Sequence, residues 1–122
     1  MKYFAPKEKG RRLELRFAKM LRESGLDSDA KRMPRSGGFE GLKSDIWTHL
    51  PWQFELKNQE KIAFWDWWTQ AEAQKRPNRP PVLVFTSNYR PIIVALEAGE
   101  FLNLLKELED YRDEQRKNTR HA

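Results

Sequence analysis

Three prolines within the six residues Arg76-Pro77-Asn78-Arg79-Pro80-Pro81 stop any helix or regular strand that reaches them. The break separates two different patterns. Before it, Ile62 to Lys75 reads as a helix rich in aromatics; after it, Val82 to Phe85 is a short apolar run of the kind that forms a buried strand. The N-terminal half repeats the contrast. Lys7 to Ser24 carries Leu13, Phe17 and Leu21 at helical spacing and ends at Ser24-Gly25. Short strands are expected at Ala30 to Met33, Ser44 to Thr48 and Gln53 to Asn58, the last two separated by the turn His49-Leu50-Pro51. Pro91 to Leu96 reads as a fifth strand. Glu97 to about Lys117 reads as a final helix with Phe101, Leu104, Leu105 and Leu108 on its inner face and a charged, fraying end. The expected order is αβββαββα, an α/β fold with a mixed central sheet of about five strands flanked by helices.

With 122 residues the chain suits one domain, 1–122, with one modest core. A net charge of +5 suits a polyanionic partner. The chain has no cysteine, which excludes disulfides and thiolate zinc sites. No apolar run is long enough to span a bilayer, and Met1 to Pro6 has no apolar signal core, so a cytoplasmic location is expected, in a prokaryotic cell or a phage-infected host.

The chemistry concentrates on the Ser44–Asn58 hairpin. Strand alternation sets Gln53, Glu55 and Lys57 on one face and Phe54 and Leu56 on the other. Closing through His49-Leu50-Pro51 places Asp45 opposite Glu55, and a two-residue shift places it opposite Lys57. Either register gathers two carboxylates and an ammonium. Paired carboxylates repel unless a cation lies between them, and oxygen ligands suit Mg²⁺, with Mn²⁺ as a substitute. The Leu56 carbonyl is a candidate further ligand, and Lys57 a candidate to orient the attacking water or neutralise a reacting phosphate. Glu14 lies at the edge of the buried face of the first helix, where a charge needs a metal or a basic neighbour. Ser36 in the Ser36-Gly37-Gly38 loop is a candidate phosphate contact, and Gln70 a polar residue able to reach the same patch.

Asp45, nine intervening residues, then Glu55-Leu56-Lys57 resembles the D…E-x-K signature of the PD-(D/E)XK nuclease superfamily. Glu14 in the first helix, Ser36-Gly37-Gly38, Asp45-Ile46 and Glu55-Leu56-Lys57, in that order, resemble the archaeal-type Holliday junction resolvases, including those carried by phages, over roughly Gly10 to Leu105. Ser44 stands where the superfamily often has proline. The resemblance implies a restriction-endonuclease-like core, Mg²⁺ held by the two acidic residues of the hairpin, and a homodimer with two active sites that cuts symmetric strands of a four-way junction.

Lys31, Arg32 and Arg35, which lie beside the proposed site, and Arg11 on the first helix are the candidate DNA contacts. Trp65, Trp67 and Trp68 with Phe64 wrap much of the second helix, which suggests part core and part dimer contact through that helix. Three other readings compete: a flap, nicking or restriction-like nuclease, a nucleic-acid-binding module of the same fold without catalysis, and an interaction protein assembled through its tryptophans.

Overall fold

The computed structural model describes residues 5–33 and 45–120. In chain order it contains α1 (Pro6–Glu23), β1 (Lys31–Arg32), β2 (Ile46–Trp47), β3 (Gln53–Asn58), α2 (Phe64–Gln74), β4 (Pro81–Thr86), β5 (Ile93–Ala95) and α3 (Ala98–Arg120). This is the expected αβββαββα order, in an α/β arrangement of the restriction-endonuclease-like kind. Ser36, Arg35 and the rest of the glycine loop lie outside the described residues, as does Ser44.

Local chemistry sets the element ends. Pro6 opens α1 at a position whose N–H has no helical acceptor in any case. Gly25, with φ at 83°, takes the left-handed conformation that closes the helix. Its N–H donates to the Arg22 carbonyl at 3.2 Å. The proline break after α2 is anchored from below: buried Gln53 accepts the Arg76 N–H on its side-chain oxygen at 2.8 Å.

The described strands form two ladders where one mixed sheet of about five strands was expected. β3 runs parallel to β4, from Gln53 opposite Pro81 to Asn58 opposite Thr86, and β4 pairs antiparallel with β5. β1 and β2 form a separate antiparallel pair. Asp45 joins the two ladders. Its N–H donates to the Phe54 carbonyl at 3.2 Å, and its own carbonyl accepts the Met33 N–H at 3.0 Å.

The parallel pair is covered on both faces, as parallel strands usually are. Phe54, Leu56, Val82 and Val84 meet Leu13, Phe17, Ala18 and Leu21 of α1. Phe17 and Phe54 pack edge to face with centroids 5.2 Å apart. On the other face, Phe85 receives Phe64 and Trp67 of α2 at 6.0 and 6.1 Å. The aromatic helix is thus largely engaged within the chain: Trp67 is buried, whereas Trp65 is 74% exposed.

The expected inner face of α3 is not an inner face. No residue of α3 is buried, and Phe101, Leu104, Leu105 and Leu108 are each at least 40% exposed. Periodicity predicts a stripe on a helix; it does not say that the same chain covers it. α3 also continues to Arg120, past the end expected near Lys117, with ion pairs Lys106–Asp110, Arg112–Glu109 and Arg116–Asp113 along its exposed surface.

A buried carboxylate fixes the turns on the far side of α1. Asp27 accepts the Thr48 hydroxyl at 2.5 Å, the Asp29 N–H at 2.9 Å and the His49 N–H at 3.2 Å. The Thr48 hydroxyl is the main reason that its pKa falls from 3.8 to about 2. Burial opposes the shift, and the two amides and the neighbouring His49 ring add to it. A depressed carboxylate pKa stabilises the fold above the unfolded value and loses that contribution as pH falls towards the folded value. Wild-type stability is therefore expected to decline between pH 3.8 and about 2. In chemical-denaturation midpoints measured across that range, Asp27→Asn is expected to show a shallower decline. Parallel curves for the two proteins would contradict the Asp27 origin.

Candidate active site

The site is built where β2 leaves β3. Past Asp45 the chain turns away to pair with β1, so two β3 backbone groups on that side, the Phe54 carbonyl and the Leu56 N–H, are met by Asp45. The Asp45 N–H takes the first. Its carboxylate takes the second, with Leu56 N–H donating to Oδ2 at 2.8 Å. The two bonds flank Glu55, so the hairpin sets Asp45 beside Glu55. The carboxylate lies across to the neighbouring strand and acts where a strand carbonyl would. The Leu56 carbonyl points to the same side as its N–H, because both groups of one strand residue project the same way.

Glu55 and Lys57 alternate with Phe54 and Leu56, which face α1, and so point towards α2. Glu55 is 7% exposed and Lys57 half-buried. Across the gap, Gln70 on α2 accepts from the Lys57 ammonium at 3.4 Å. The structure therefore brings together Asp45, Glu55, Leu56, Lys57 and Gln70.

Glu14 is placed differently. It is 5% exposed on α1, which covers the opposite face of β3, and its Oε2 accepts from Arg32 Nε at 2.6 Å. The basic neighbour that a half-buried glutamate requires is thus Arg32, which was expected to meet DNA. Among the described residues no three Asp, Glu or His side chains converge on one metal-sized position. The candidate acidic pair that the β3 hydrogen bonds bring together is Asp45 and Glu55, with Glu14 held at Arg32. That donor set still fits magnesium, which commonly binds through one or two carboxylates and keeps several waters.

The other candidate DNA contacts are peripheral. Arg11 is exposed and 3.5 Å from Glu8. Lys31 lies over the Trp47 ring at 4.1 Å, a cation–π contact on the surface. Sequence reasoning missed Asp27 and its partners Thr48 and His49, and Gln53 under the proline turn. An isolated aspartate in a turn and a strand glutamine carry no distinguishing pattern, since their partners lie more than twenty residues away.

A family model described as "Phage putative PDDEXK endonuclease" matches residues 5–121. No curated protein and no solved structure matches the chain. Among the described residues, no helix is long and apolar enough to cross a membrane.

Proposed function

The chain belongs to the phage PDDEXK endonuclease family, and on that premise we propose that it is a magnesium-dependent endonuclease that resolves four-way DNA junctions as a homodimer. The observation that carries the reading is the bond from Leu56 N–H to the Asp45 carboxylate. It fixes one acidic group of the D…E-x-K set against the segment that holds the other two residues.

Asp45, Glu55 and the Leu56 carbonyl would hold the divalent cation, with Mn²⁺ able to replace Mg²⁺. When bound, the cation supplies Lewis-acid stabilisation of charge on the phosphate oxygens. Lys57 positions the attacking water and neutralises part of the same charge. Gln70 holds the Lys57 ammonium and so limits where it points. Water attacks phosphorus in line, a new P–O bond forms, the bond to the leaving sugar oxygen breaks, the water's proton passes to solvent, and the sugar oxygen takes up a proton from solvent and leaves as the hydroxyl. Glu14 holds Arg32 from α1, and Arg32, Arg11, Lys31 and Arg35 are the residues that would meet the DNA backbone. Ser36 contributes a phosphate contact from the glycine loop.

A junction has paired strands to cut, which favours two copies of one site related by two-fold symmetry. Purified protein incubated with Mg²⁺ and four-way junction, flap, nicked and plain duplex DNA separates the substrate classes. Symmetric paired nicks in the junction, with little cutting of plain duplex, are the expected products. Equal cutting of all four substrates would leave a general nuclease, and DNA binding without any cutting would leave a binding module.

A further inference from the structure

α3 is 23 residues long, about 35 Å at helical rise. It carries an apolar stripe, and among the described residues none buries any side chain of the helix. Phe101, Leu104, Leu108 and Tyr111 are 49%, 40%, 42% and 61% exposed. Their spacing of three, four and three is the a and d pattern of a coiled-coil seam, and polar Gln115 and Asn118 occupy the next two seam positions. Helices owe most of their stability in proteins to packing of such a face. A contiguous exposed apolar stripe of this kind marks an interface.

The charges flanking the stripe indicate its occupant. Glu100, Glu107 and Glu114 recur every seven residues along one edge, the g positions. Arg112 stands on the other edge at an e position, with Arg116 and Arg120 further round the same side. In an antiparallel pair of α3 helices, g positions meet g positions, and the glutamates would repel. In a parallel pair, each g position meets the e position five residues on in its neighbour. Glu107 then faces Arg112 of the partner subunit, and the contact occurs twice by symmetry. The contact of Arg112 with Glu109 of its own helix at 3.2 Å is an exposed pair that exchanges at little cost. The pattern on α3 is therefore complementary to itself in one orientation.

We propose that α3 pairs with α3 of a second copy of the chain as a short parallel two-stranded coiled coil. This deepens the dimeric reading above by naming its surface. It places the contact on α3, not on the tryptophan helix, where Trp67 is buried within the chain and Phe64 packs on Phe85. It is tested without DNA, so its failure leaves the cleavage chemistry standing, and failure to cleave leaves the pairing standing.

Sedimentation equilibrium over a concentration series is expected to show a monomer–dimer equilibrium for the wild type. Leu104→Glu with Leu108→Glu is expected to be monomeric with unchanged circular dichroism, because neither side chain is buried in the chain. Glu107→Arg is expected to weaken the dimer about tenfold, and Glu107→Arg combined with Arg112→Glu to restore it. The absence of cysteine permits a test of direction. Phe101→Cys places two thiols opposite each other in a parallel pair. An antiparallel pair centred on Leu108 holds them about 20 Å apart, beyond disulfide reach. A strictly monomeric wild type, a dimer that survives Leu104→Glu with Leu108→Glu, or a Phe101→Cys dimer that does not cross-link under oxidation would each overturn the proposal.

Discussion

Asp45→Asn is expected to lower the DNA cleavage rate by about a thousand-fold while the protein stays folded. The substitution separates two roles of one side chain. The amide oxygen of Asn can still accept the Leu56 N–H that Asp45 accepts at 2.8 Å, so the join between the two strand ladders persists. The negative charge that would hold a cation is lost. Thermal midpoint and circular dichroism are therefore expected to match the wild type. Binding to DNA without metal is expected to hold or tighten slightly, since a repelling charge has gone from a surface that meets phosphate. Single-turnover cleavage with anisotropy binding measured in EDTA separates these effects. Retention of cleavage within about tenfold of wild type would remove Asp45 from the catalytic set.

The largest stability effect is expected at Phe17. It is 6% exposed, meets Phe54 edge to face at 5.2 Å, and lies in the cluster that seats α1 on β3. Phe17→Ala removes that packing and leaves a cavity, a loss of about 3–5 kcal/mol. A domain of this size has about 5–15 kcal/mol in total, so a large share of its margin would go. The thermal midpoint is expected to fall by roughly 15 °C. Because Phe54 precedes Glu55 on β3, cleavage at permissive temperature should also weaken. Trp65→Ala is the control. It deletes a larger ring from a position 74% exposed and is expected to cost about 0.5 kcal/mol or less. Similar losses for the two variants in urea titrations would contradict the placement of the core.

The sequence was most legible where period and chemistry coincide. Gln53–Asn58 alternates, carries the E-x-K residues and forms the strand at its expected bounds. The helix ends at Gly25 and before Pro77 were set by local backbone limits, and they appear there. Long-range pairing was less legible. Glu14 needed a basic partner, but nothing in its neighbourhood selects Arg32, eighteen residues away. Asp45 was expected opposite Glu55 or Lys57, and its two bonds to β3 flank Glu55. That its carboxylate also accepts a backbone N–H was not legible, because β2 leaves β3 at that residue, and side-chain alternation contains no information about where a strand departs. The α3 stripe was visible as a stripe, but its exposure depends on what packs there, which amphipathicity alone does not encode. Ser36 and Arg35 remain candidates from the resemblance, outside the described residues.

The catalytic assignment to the Asp45 and Glu55 pair is tested most directly by a metal titration of cleavage on a four-way junction. Wild-type protein stripped with EDTA is expected to be inactive and to regain cleavage as Mg²⁺ or Mn²⁺ is added. Glu55→Gln, which keeps the volume of a side chain only 7% exposed, is expected to stay folded and inactive across the same titration. Cleavage by wild type in EDTA, or full activity of Glu55→Gln at the Mg²⁺ concentration that saturates wild type, would contradict the assignment.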